Sequence, residues 1–375
     1  MPSPPGAEGE QRSLVAVHQF VPTYAGRSAI GFHTHQVTHI LRDMGVTSHT
    51  YVGSAHDVDD DHVHGYRRYE PVPGEPTWLL YQLSTGHPMA DFLARRPEPL
   101  VVNYHNITPE RFFLPWEPLV VPELRAGRDQ FRRLAARTEL AVAVSSYNER
   151  ELVNAGYTRT VTTPFLADFE ALGSEVNKQL SDELDRTKAA GGADLIFVGR
   201  IAPNKAQHRL IKVLAVYRRL YDPRARLWLI GGSSSHRYET SLVDYAAALG
   251  LGDAVHVTGS VHQADLVSYY GNADVLVSAS DHEGFGVPLL EAMWHSVPVV
   301  ALATSGVTDT VGDAGVVLRS KTADSAKMAA AVHRAVTDAA LRDHLVERGR
   351  NRVAHFSLER SQEAFRAAIR PLLGL

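Results

Sequence analysis

The sequence contains no cysteine, which excludes disulfides, thiolate metal ligands and a cysteine nucleophile. That absence fits a reducing cytoplasm, and a cytoplasmic location is the expectation. No stretch approaches the ~18 uninterrupted apolar residues of a membrane span. The opening segment, MPSPPGAEGEQRS, is polar with no apolar core, so it does not read as a signal peptide. Residues 1–12 are read as a flexible tail. A positive charge excess is also missing. The chain has 38 Lys and Arg against 42 Asp and Glu, a formal net charge of −4, so no global basic footprint for nucleic acid exists. Neither a G-x-G-x-x-G nor a Walker sequence occurs, which weighs against dehydrogenase and NTPase chemistry. Ser145 and Ser146 lack the G-x-S-x-G frame of a nucleophile elbow.

What is present is an ordinary globular composition over 375 residues, 44% hydrophobic and 21% charged. At roughly 100–200 residues per domain, this length suggests two domains or one large one. Short β-branched runs alternate with helical stretches, the pattern of parallel sheets covered by helices. Residues 14–20, 47–52, 100–104 and 140–144 read as strands, and 32–44 as an amphipathic helix. Residues 55–76, rich in Asp, His, Pro and Gly, read as a loop excursion. A second series follows, with strands at 194–198, 226–230, 255–258, 275–278 and 298–301 and a helix at 206–220. Ser146 with Glu149, and Ser260 with Gln263, have capping-box spacing at helix starts. The expected organisation is an N-terminal Rossmann-like domain over 1–167 and a polar linker over 168–192. A C-terminal Rossmann-like domain over 193–355 follows, and 356–375 is expected to cross back to the first domain.

The strongest local signal is DHEGFGVPLLEAM at 281–293, directly after the apolar run VLVSAS. The glycines at 284 and 286 let backbone approach a ligand, and Pro288 suits a first helical turn. A helix N-terminus behind such a loop favours an anion. Glu283 and Glu291 supply carboxylates for hydroxyls, so a ligand rich in both phosphate and hydroxyl fits, as a sugar nucleotide does.

This stretch resembles the E-x7-E motif of retaining glycosyltransferase family 4. FVGRIAPNK at 197–205 resembles the same family's Gly-Arg…Lys element, and YHNIT at 104–108 a third one. The resemblance implies the GT-B fold, two Rossmann-like domains with parallel sheets facing a central cleft. It implies transfer of a hexosyl group from a nucleotide diphosphate sugar, with retained anomeric configuration and neither a metal nor another cofactor. Arg200 and Lys205 would neutralise the diphosphate as the sugar bond breaks. His105 would lie beside the donor sugar, Glu283 with the backbone of Gly284, Phe285, Gly286 and Val287 would hold sugar hydroxyls, and Glu291 the ribose. Gly31 would stand at the turn after the first strand, while Gly232 and Val261 would line the nucleoside pocket. An epimerase, a sugar phosphorylase and a non-catalytic binding subunit are the rival readings. The acceptor stays open among small molecules, lipids and glycans.

Other features read as structural. His33, His35 and His39 lack a completing carboxylate pattern for a metal site. His62 and His64 sit in an Asp-rich loop and read as structural or solvated, with a loose divalent-ion site as the other reading, and Asp57 to Asp61 read as a solvated loop. Arg128, Arg132 and Arg133 share a helix sector, read as a solvated face, with contact to a membrane surface or an anionic acceptor as the other reading.

Overall fold

Two parallel sheets organise the chain in the computed structural model, which describes residues 15–25, 28–56, 62–173, 175–319 and 323–375. The first contains β1 (Ala16–Ala25), β2 (Thr50–His56), β3 (Val63–Gly65), β4 (Thr77–Leu83), β5 (Leu100–Tyr104), β6 (Thr138–Ala143) and β7 (Thr160–Thr162). Its spatial order is β3-β2-β1-β4-β5-β6-β7. The second contains β8 (Asp194–Val198), β9 (Arg226–Ile230), β10 (Val255–Gly259), β11 (Val275–Ser278), β12 (Val299–Ala303) and β13 (Val316–Arg319), ordered β10-β9-β8-β11-β12-β13. Both orders run outward from their first strand in two directions. That reversal defines the switch point of a doubly wound sheet, where ligands bind beyond the strands' carboxyl ends. The chain therefore has two Rossmann-like α/β domains in the GT-B arrangement.

Helices cover the sheets because their apolar positions recur at helical spacing. The helices are α1 (Ala29–Asp43), α2 (Pro88–Ala94), α3 (Val121–Leu134), α4 (Ser146–Asn154), α5 (Lys178–Ala189), α6 (Gln207–Leu220) and α7 (His236–Ala248). They continue with α8 (Gln263–Asn272), α9 (Val287–Trp294), α10 (Val307–Val311), α11 (Ser325–Thr337), α12 (Ala339–His355) and α13 (Leu358–Leu373). On α1, Val37, Ile40 and Leu41 are buried against Val17, Leu80 and Val142 of the first sheet. Phe365 and Ile369, one turn apart on α13, complete that same core, so the last helix packs on the N-terminal domain.

Several local expectations shift. The run over 77–83 forms a central strand, β4, between β1 and β5, where no strand was expected. The 55–76 excursion contains the short strand β3, while the acidic run 57–61, like the tail 1–12, lies outside the described residues. The polar 168–192 stretch contains α5, capped by Asn177 and packed on α8. Helix α4 is capped by Ser145 rather than Ser146, and α8 by His262 with Asp265 rather than by Ser260. Arg128 and Arg133 of α3 pair with Glu151 and Asp91, and Arg132 with Asp129, so this helix face does not present a bare basic sector. Among the described residues no helix is long and apolar enough to cross a membrane.

Candidate active site

The loop after β11 is held by its carbonyls. Glu283 O accepts from Gly306 N at 2.9 Å, Gly284 O from Ser145 Oγ at 2.8 Å and Phe285 O from Thr310 Oγ1 at 2.5 Å. Gly286 O accepts from Leu289 N at 3.0 Å. With every carbonyl committed, the amides of Gly284, Phe285 and Gly286 are left without a protein acceptor among the described residues. Gly286 has φ +93°, a left-handed conformation suited to glycine, and starts α9 directly. Amides released at a helix start form an anion-binding nest. Gly306 is required behind this loop, since a Cβ there would lie 2.1 Å from Gly284 O.

A second loop faces it. Asn204 accepts the amide of Asp281 at 2.9 Å and donates from Nδ2 to His282 O at 3.2 Å. This tie brings Lys205 Nζ to 2.5 Å from Glu283 Oε2. The two residues expected to bind different parts of a ligand thus bind each other. Arg200 is exposed, forms no ion pair among the described residues and lines the same space.

Three adjoining cavities form one cleft between the sheets' carboxyl ends. The central one, about 330 Å³, is lined by His105, Arg200, Lys205, Glu283 and the 284–287 loop. It shares Phe165 and Val287 with a cavity of about 640 Å³ that reaches Val261, Gln263 and Glu291. On the other side it shares His105, Arg200 and Glu283 with a cavity of about 440 Å³ lined by Ser84, Thr85, Thr108, Phe113 and Glu123. Packing around the Glu291 carboxyl raises its pKa, and the Tyr270 hydroxyl, 2.8 Å away, opposes that rise by donating to it. Burial lowers His105 to about 3, and it is neutral at physiological pH. His282 is also lowered to about 3, by burial and then by the nearby Arg128, Lys205 and Arg111.

Two expected residues fall elsewhere. The Gly31 amide is taken by Ser28 Oγ at 3.0 Å and is not free for phosphate. Its small size serves packing instead, because a Cβ would lie 2.0 Å from Ala25 O. Gly232 packs on Ser260, with a Cβ position 2.5 Å from its hydroxyl, and is not among the cleft-lining residues described above. No three His, Asp or Glu side chains converge as metal ligands among the described residues.

Residues not anticipated hold the domains together. Asp309 accepts from Ser146 Oγ at 2.7 Å and from Tyr147 N at 3.1 Å. Asn106, with φ +81°, receives His282 Nε2 at 2.5 Å. Trp116 packs edge-on against Tyr238 at 4.9 Å, and Ser235 donates to Glu117 at 2.7 Å. Asn106 and His282 lay inside the singled-out motifs, but nothing local shows that they face each other.

Comparison with known proteins agrees with this architecture. Residues 187–352 match the family described as Glycosyl transferases group 1. A D-inositol 3-phosphate glycosyltransferase of Geodermatophilus obscurus is 32% identical over 263 residues, 66% of this chain and 56% of the relative. The chain spans about half the length, or less, of the curated relatives it matches. Anabaena Alr3699/HepE in complex with UDP and glucose superposes with a TM-score of 0.69 at 16% identity, covering 96% of this chain and 100% of that one. Sucrose-phosphate synthase from Thermosynechococcus elongatus gives 0.73 at 19% identity, covering 96% and 99%. The chain thus has the GT-B fold, and its residues 187–352 match the glycosyl transferases group 1 family.

Proposed function

We propose that this protein transfers a hexosyl group from a nucleotide diphosphate sugar to an acceptor hydroxyl, with retention of anomeric configuration. The observation that carries the reading is the loop 283–286, whose carbonyls are all engaged while its amides stay free at the start of α9. Such a nest, beside Arg200 and Lys205, suits a diphosphate. As the glycosidic bond breaks, the leaving diphosphate gains charge, and fixed donors stabilise that charge most in the transition state. Glu291, in the adjoining cavity, binds the ribose hydroxyls. Glu283 is held by Lys205 and orients sugar hydroxyls, as His105 does from the opposite domain.

The acceptor enters the cavity lined by Ser84, Thr85, Thr108 and Glu123. Its hydroxyls and carboxylate suit a polyol, and the relatives' names point to a related class, an inositol phosphate. The attacking oxygen bonds to the anomeric carbon on the face the diphosphate leaves, and the departing phosphate oxygen takes the acceptor's proton. No metal and no protein nucleophile enters this scheme, and the protein works in the cytoplasm. Incubation with a panel of nucleotide sugars, with and without inositol and inositol 3-phosphate, tests the reading. Nucleoside diphosphate release with an α-linked product from an α-linked donor supports it. No release from any donor overturns it.

A further inference from the structure

Beside the nest, one line of buried polar side chains crosses the first sheet and ends at His105. Gln19 on β1 donates from Nε2 to Thr34 O at 2.9 Å and to Thr38 Oγ1 at 2.7 Å. The Thr34 carbonyl can only accept, so the Gln19 amide has one workable orientation. The reverse would set two oxygens 2.9 Å apart. Gln19 Oε1 therefore points onward and accepts from Gln82 Nε2 at 2.7 Å. Gln82 is oriented in turn, and its Oε1 meets His105 Nε2 at 2.6 Å. That oxygen only accepts, so Nε2 carries the imidazole proton. The sheet order places β1, β4 and β5 side by side, which lets the line step from strand to strand. Gln19 and Gln82 are fully buried, so neither has water as an alternative partner.

A neutral imidazole has one N–H. With it on Nε2, Nδ1 is an acceptor, and Nδ1 is buried without a partner. His105 lines both the central cavity and the acceptor-side cavity. We infer that Gln82 and, through it, Gln19 are positioning residues that lock His105 as the Nε2–H tautomer and keep Nδ1 as the acceptor for a hydroxyl of the bound sugar. The function of the lock rests on the donor-site reading above; the tautomer itself does not. A sugar hydroxyl donating to Nδ1 would satisfy the orphaned lone pair and fix the sugar's rotation in the cleft.

The test is nitrogen-15 NMR of histidine-labelled full-length protein near neutral pH, with the His105 signals assigned by their loss in H105N. Nδ1 resonating as an unprotonated nitrogen and Nε2 as a protonated one is the expected pattern. Q82L is expected to lose the tautomer preference, and Q82E, which still accepts from Nε2, to keep it. Turnover falls roughly 10- to 100-fold in Q82L, as for other groups that fix an imidazole's tautomer. A proton on Nδ1 in the wild type, or an unchanged tautomer in Q82L, overturns the inference. Should Q82L fail to fold, the wild-type spectrum alone still decides. Absence of any stabilisation by UDP, GDP, ADP or their glucose conjugates in the same samples counts against the donor reading and leaves the tautomer result standing.

Discussion

Lys205 and Glu283 meet at 2.5 Å across two strand-end loops, each keeping about a sixth of its side chain exposed, 16% and 17%. The pair joins the cation proposed to face the diphosphate to the carboxylate proposed to face the sugar. Removing either group leaves the other misoriented, so K205M and E283Q are each expected to lower turnover roughly 100- to 1000-fold. The stability loss should stay below the ~3 kcal/mol of a fully buried pair, because water still reaches both ends. Steady-state kinetics beside thermal melting separates the two effects.

Glu291 illustrates a site group held against its own stability. Its pKa is raised by packing, so the unfolded chain gives up its proton more readily. Folding is therefore destabilised by this group as pH rises through the unfolded carboxyl's pKa and beyond. E291Q removes the buried charge and should melt higher than wild type at pH 8. The same change should weaken nucleoside diphosphate binding roughly 10-fold, as expected for loss of a charged acceptor. A lower melting temperature together with unchanged binding would contradict both halves.

Asp309 ties the two domains together. It accepts a hydroxyl and an amide from the first turn of α4 across the domain interface. Losing two such bonds costs about 2 kcal/mol, which is roughly a 30-fold shift of the closed-to-open ratio. D309A should show a larger radius of gyration by small-angle scattering and a raised KM for the donor. Identical scattering profiles would assign the contact no role in closure.

Acid should destabilise the protein before its carboxylates titrate. His18 is lowered to about 4, by burial and then by His49 and His64, and His105 and His282 to about 3. Below pH 6.5 the unfolded chain binds protons that the folded chain refuses. Stability is complete above that pH and falls as pH drops from 6.5 toward 4 for His18 and toward 3 for the other two. Each group contributes at most about 1.4 kcal/mol per pH unit in that window. Melting temperatures at pH 7.5, 6 and 5 check this, and a flat profile would contradict it.

Much of this architecture is legible in the sequence, for reasons that differ between elements. The strand 100–104 and the loop-helix 281–293 announce themselves through local chemistry: an apolar run, two glycines, a proline at a helix start. Strand β4 does not, because its buried run mixes Thr77, Trp78 and Gln82 with apolar residues and directly follows the Pro- and Gly-rich excursion. Gln82 was hidden with it. Helix α5 is almost entirely solvated, with only Leu184 buried, so its polarity resembles that of a linker. The Ser146–Asp309 and Asn106–His282 contacts join residues 163 and 176 positions apart, and no local spacing encodes them. The Gly31 amide is engaged for a local reason, the cap supplied by Ser28.

The amides of Gly284, Phe285 and Gly286 and the Arg200 guanidinium are proposed to bind a nucleotide diphosphate. Thermal shift across UDP, GDP, ADP and their glucose conjugates, on wild type and R200A, tests it most directly. One nucleoside diphosphate is expected to stabilise the wild type, by about 2.7 kcal/mol at 100 times its Kd. R200A should melt like wild type without ligand, since Arg200 is exposed and forms no ion pair among the described residues. It should lose most of the stabilisation. Equal stabilisation of both proteins, or none of either by any nucleotide, would contradict the account.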